Sequence, residues 1–158
     1  KMISVTGSST TIKIASIERS TSTLDIMSPS RSYTTALSAE NSNALISASE
    51  NSNVILSGFK SYLLLKIQTS VAAWVTIYTD TTSRDLDSTR TEGTDPLPGS
   101  GVVAEVITTG ASTQLISPGA LGFNNDVSVS GNIYAKIYNK SGSQQAITVT
   151  LTLLQLEN

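Results

Sequence analysis

The sequence predicts an all-β fold: a β-sandwich or jelly-roll-like antiparallel domain with an irregular N-terminal arm. Three observations carry this. Short Val/Ile/Leu runs alternate with Thr and Ser at a period of two. Gly, Pro, Ser and Asn punctuate these runs at short intervals. No window shows a helical period.

The elements follow in chain order. Ile3 and Val5 alternate with Ser4 and Thr6, Gly7-Ser8-Ser9 reads as a turn, and Ile12 and Ile14 flank Lys13, which together suggest a short hairpin. Residues 19–38 are rich in Ser and Thr, are broken by Pro29 and offer only Leu24, Ile26, Tyr33 and Leu37 as anchors, so they read as a loop or arm. The stretch from Glu40 to Ser47 recurs ten residues later from Glu50 to Ser57, each copy being a polar turn followed by an apolar run. Two stacked copies would begin a solenoid-like coil, but solenoids generally need at least about three repeats, so two similar turn-strand units are the simpler reading.

The remainder is clearer. Strands are expected near 62–68, 73–79, 102–108, 133–138 and 146–156, the last two forming an antiparallel hairpin through Lys140–Ser143. A short strand around Leu115 and Ile116 is expected to end at Pro118-Gly119. Ile147, Val149, Leu151 and Leu153 share one face, after which Leu154 and Leu156 reverse the parity. Since a slip of one residue flips every side chain, this reversal predicts either a bulge near Leu153–Leu154 or packing of the strand end on a different neighbour. Two regions result: an arm or docking segment over 1–58 and a β-domain over 59–158.

Composition narrows function. The 158 residues contain no histidine and no cysteine, which removes the side chains most used for metal binding and for acid–base or nucleophilic chemistry near neutral pH. Charged residues make up 14 % and the net charge is −2, so a basic nucleic-acid footprint is absent. No polybasic run favours an anionic membrane, and no apolar run approaches the roughly 18 residues of a membrane span. There is no Gly-x-Ser-x-Gly elbow, P-loop or dinucleotide fingerprint. No enzymatic activity and no cofactor are expected. No leader peptide is visible at Lys1-Met2-Ile3.

The segment Asp80–Gly101 is the main candidate for function. It is long for a connection within a compact domain and carries Asp80, Arg84, Asp85, Asp87, Arg90, Glu92 and Asp95. Internal ion pairs, contact with another subunit or with the arm, a plain solvated loop, or calcium held by carboxylate oxygens are the readings open to it. Contact with another subunit or the arm is the expectation for what orders it. Leu154 and Leu156 join it as candidate interface residues. Trp74, Tyr78, Tyr134 and Tyr138 fall opposite the aliphatic faces of their strands, as a sugar-stacking platform or as a buried second layer.

The stretches Phe59–Ile67, Trp74–Asp80, Asp95–Val102, Ala104–Ile107, Asn139–Gly142 and Leu151–Leu156 form a pattern over residues 59–158. In this pattern the region resembles a β-domain of tailed-bacteriophage structural proteins, particularly of phages of cyanobacteria. The resemblance implies a virion protein of fibre, tail or neck, or head-decoration type. Its partners would be further copies of itself, with a trimer the first guess, and other virion proteins, with a host-surface glycan as a further partner. It assigns no catalytic or ligand residue. A secreted carbohydrate-binding module is the alternative.

Overall fold

The computed structural model describes the backbone of residues 31–36 and all of residues 46–157. Eight strands are present among them: β1 (Arg31–Ala36), β2 (Asn51–Ser57), β3 (Ser61–Thr69), β4 (Ala73–Tyr78), β5 (Val102–Ile107), β6 (Ser112–Phe123), β7 (Asn132–Asn139) and β8 (Thr148–Glu157). A short helix, α1 (Thr81–Leu86), follows β4. The strands form two four-stranded antiparallel sheets, the first in the order β1-β8-β3-β6 and the second in the order β2-β7-β4-β5.

The pairings are nested. β4 pairs with β5, β3 with β6, β2 with β7 and β1 with β8. Among the described strands, only β4 and β5 are consecutive partners in one sheet, and every other connection crosses between sheets. The expected hairpin of β7 and β8 is therefore not formed. Asn139 turns the chain away. Its side-chain amide donates to the carbonyls of Ile46 and Ser143, both at 2.8 Å, and its Oδ1 accepts from the Ser141 amide at 2.9 Å. Crossing also places Ile133, Ala135 and Ile137 in one sheet and Val149, Leu151 and Leu153 in the other, and one core cluster draws on both sets. A hairpin would have put both apolar sets in the same layer.

The core is built from alternate residues, as the period of two requires, except in β3, where the register shift at Leu65 sets the buried Leu64 and Ile67 three positions apart. Val54 and Leu56, Leu64 and Ile67, and Val75 and Ile77 join the residues just named, all of them buried. Fully burying each such side chain contributes roughly 1.5–3 kcal/mol. Ile46 is also in this core and bridges to Gln145. β1, expected as arm, pairs with β8, and β2, from the second copy of the repeat, pairs with β7. The expected 3–14 hairpin lies outside the described residues.

β6 runs through Pro118-Gly119 instead of ending there. It is an edge strand, where a missing N–H costs no ladder bond on the outer side. Its register with β3 jumps between Leu64 and Lys66, which absorbs the proline. Gly119 leaves room for the Leu63 side chain, whose Cγ would lie 2.7 Å from an added Cβ.

Alternation in β8 passes through Leu153 and Leu154 unbroken: Leu153 points inward and Leu154 outward. Two irregularities interrupt its pairing with β3: beside Leu153, where Leu64 pairs with Leu153 and Lys66 with Thr152, the extra residue is Leu65 of β3, and at the strand end Ser61 pairs with Glu157 and Tyr62 with Gln155, leaving Leu156 as the extra residue.

Candidate functional site

The outward residues of the second sheet form three cross-strand rows. Asn51, Tyr138, Trp74 and Ile107 make the first, Asn53, Lys136, Thr76 and Glu105 the second, and Ile55, Tyr134, Tyr78 and Val102 the third. Such a face would ordinarily be wet. Here Trp74, Tyr78, Tyr134, Thr76 and Lys136 are all buried; the Asp80–Gly101 connection supplies the polar partner of Tyr78 and Lys136, while Thr76 donates to Glu105 and Tyr134 to Asp126.

That connection is ordered by contacts within the chain. Asp80 caps α1, its Oδ1 accepting from the Ser83 amide at 2.7 Å. It also accepts from the Thr79 and Ser83 hydroxyls at 2.8 and 3.0 Å. Burial acts to raise the Asp80 carboxyl, but these hydrogen bonds together hold its pKa below the ordinary value. The helix was missed in the sequence because six residues are too few to show a period. Gly101 closes the excursion with φ +73°, where a Cβ would lie 2.2 Å from Ser83 Oγ.

Asp87 and Arg90 drop onto the middle row. Asp87 accepts from the Tyr78 hydroxyl at 2.6 Å and pairs with Lys136 Nζ at 3.4 Å, while Lys136 also donates to the Asp87 carbonyl. Arg90 donates from Nε to Asp87 at 2.7 Å, from Nη1 to the Thr94 carbonyl at 2.9 Å and from Nη2 to Glu105 at 2.5 Å. Its guanidinium stands 5.1 Å from the Trp74 ring centroid, and Lys136 Nζ stands 5.3 Å from it. Burial favours a neutral Asp87, yet the bonds from Arg90 and Tyr78 and the Lys136 charge outweigh it, so its pKa is lowered. Burial lowers that of Lys136, partly opposed by Asp87. Burial and the Asp87 bond raise that of Tyr78.

The other expected site residues scatter. Arg84 lies over the Tyr134 ring at 5.7 Å and pairs with Asp85 at 3.3 Å, while Asp85 also accepts from Asn53 at 3.4 Å. Glu92 pairs with Lys140. Asp95 is exposed and has no hydrogen bond or ion pair among the described residues; it lines a cavity of about 410 Å³ with Leu86, Leu97 and Pro98. Among the described residues no group of three or more acidic side chains is placed to hold a metal ion. Leu154 and Leu156 lie apart from all of these, on the first sheet. The mixed charges of 80–95 thus supply ion pairs within the chain, Arg90 with Asp87 and Glu92 with Lys140 among them.

Sequence reading missed Lys136 and Glu105 as partners. The available signal was a single charge of each sign in two otherwise apolar strands.

The outward face of the first sheet differs. Leu121, Leu63 and Leu154 lie in direct register across β6, β3 and β8. Phe123 and Leu156 flank this row. Leu121 is 62 % exposed, Leu156 53 % and Phe123 45 %, and Leu115 is exposed beside Lys66. Further along β8 the outward positions are Thr148, Thr150 and Thr152.

The chain matches no family model and no curated protein.

Proposed function

We propose that this chain is a non-enzymatic structural module that works by packing on further copies of itself within the virion of a tailed phage, as a fibre, tail, neck or head-decoration component. The carrying observation is the outward leucine row Leu121–Leu63–Leu154, in which Leu121 is exposed and Leu63 and Leu154 are half-buried, with the exposed Phe123 and Leu156 beside it. Contiguous apolar patches of this kind mark interaction surfaces. Lys66 flanks the row on one side and Glu157 on the other, so a second copy related by a two-fold axis presents opposite charges to both. Pro118 blunts the β6 edge, which favours face packing over strand addition.

The finer fold reading is a β-sandwich of jelly-roll type. Nested pairing of β1 with β8 inward to β4 with β5, and a core drawing on both sheets, support it. Jelly rolls serve in viral capsids and in lectins, an analogy of fold that agrees with the resemblance of residues 59–158 to phage structural proteins.

Light scattering on a size-exclusion column tests the assembly. An oligomer is expected, three copies if the fibre resemblance governs and two if the two-fold contact does. Leu121→Lys combined with Leu154→Lys should yield folded monomers. A wild-type chain that stays monomeric at high micromolar concentration would overturn self-association.

A further inference from the structure

A cleft of about 230 Å³ opens beside the covered face of the second sheet, between the Trp74 row and the Arg90–Glu92 stretch. We propose that it binds one uncharged sugar ring, a site that goes beyond the assembly reading and does not depend on it.

The first argument is an orphan donor. Trp74 lines the cleft, is only 4 % exposed, and its indole Nε1–H has no acceptor among the described residues. A buried tryptophan N–H normally has a partner, because leaving one unmade is costly. A hydroxyl or ring oxygen would supply the missing acceptor. The nitrogen is closed off from solvent, so reaching it requires lining side chains to part. The exposed Asn51 and Thr91 on the rim have room to do so.

The second argument is shape. Tyr138 is half-buried and its ring centroid lies 6.2 Å from that of Trp74, at 52° between planes. The Trp74 ring already faces Arg90 and Lys136, which leaves Tyr138 as the ring open to a ligand. The negative face of an aromatic ring attracts the C–H edge of a pyranose. The cleft is smaller than the roughly 300–1,000 Å³ of sites for drug-sized ligands, so it suits a single ring.

The third argument is charge. Arg90 and Lys136 line the cleft but are matched by Asp87 and Glu105, and Glu92 is matched by Lys140. No net charge is left to call for an ion. What remains is hydrogen-bonding capacity: the Asn51 amide, which makes no side-chain bond among the described residues, and the second carboxylate oxygen of Glu92. A neutral polyol uses both donors and acceptors of this kind.

Trp74 is the only tryptophan in the chain, so its indole N–H resonance and its fluorescence report this site alone. The full chain would be titrated with glucose, galactose, mannose and N-acetylglucosamine, with glycerol and inorganic phosphate as controls. At least one sugar should move the indole resonance saturably. Asn51→Ala and Tyr138→Ala should each weaken that sugar by about tenfold, equivalent to about 1.4 kcal/mol. Repeating the titration with short oligosaccharides distinguishes a free sugar from a glycan terminus, since a glycan site binds the longer chain at least as well. No saturable shift with any sugar, an equal shift with glycerol, a response to phosphate alone, or an undiminished response in Asn51→Ala would overturn the proposal. Light scattering on the same samples reads assembly separately, so failure of one reading is distinguishable from failure of the other.

Discussion

The outward faces of the two sheets invert ordinary expectation. On the second sheet, Lys136, Thr76 and three aromatic rings are buried under the chain's own Asp80–Gly101 excursion. On the first, Leu121, Leu156 and Phe123 are left exposed. Burial here follows whether a group's partners travel in the same chain. The charged row is covered because Asp87 and Arg90 arrive with matching charge and hydrogen-bond geometry. The leucine row has no such cover among the described residues. A cover made of polar groups must be complementary to be worth forming, whereas an apolar face accepts any apolar surface, including a second copy of itself.

The largest expected effect breaks the covered face. Asp87→Ala removes the carboxylate facing both Lys136 and Arg90 and leaves buried positive charge unmatched, which costs about 3–5 kcal/mol. Denaturant unfolding checks this, and a loss below about 1 kcal/mol would mean the cluster does not hold the excursion down. Next comes a pair of neighbours on β8. Leu153→Ala should cost about 2–5 kcal/mol as a core cavity, while Leu154→Ala should leave monomer stability within about 0.5 kcal/mol and weaken self-association. Equal losses from both variants would erase the distinction between the inward and outward faces. Asp80→Ala removes a helix cap and should cost about 1 kcal/mol, read as earlier proteolysis within 80–101 as well as in the unfolding midpoint.

The mildest effect is a slope against pH. Asp80 and Asp87 both have native pKa values below the ordinary 3.8. The unfolded chain therefore takes up protons first as pH falls. Their contribution is intact above that value and is lost as pH drops through it toward the depressed native values. Unfolding measured in steps from neutral pH downward should show this loss, and Asp87→Asn should flatten it. An unchanged slope in that variant would show that Asp87 is not the group responsible.

What was legible in the sequence was local. A period of two placed β3, β4, β5, β7 and β8 to within about two residues of their observed ends, and the charges of 80–95 marked the excursion. What stayed hidden was partnership. Lys140–Ser143 has the composition of a hairpin turn, yet Asn139 reaches back to Ile46, far off in sequence, and sends the chain to the other sheet. Pro118 looks like a strand end unless the strand is known to lie at an edge. Lys136 and Glu105 look like ordinary outward residues until Asp87 and Arg90 are seen above them. Each of these depends on a contact between residues far apart in the chain, which periodicity does not carry.

The nested pairing has a consequence for synthesis. β4 and β5 are separated only by the excursion, but β1's partner among the described strands is β8, made last. At ribosomal rates of about 5–20 residues per second, residues 31–36 wait on the order of ten seconds for residues 148–157. During that interval an unpaired strand is a hazard to a nascent chain, open to capture by its neighbours on the same message. The sequence Arg-Ser-Tyr-Thr-Thr-Ala suits such a wait. It carries a charge and three hydroxyl-bearing Ser and Thr residues in six positions, enough β propensity to pair when β8 arrives and too little apolar character to aggregate before then.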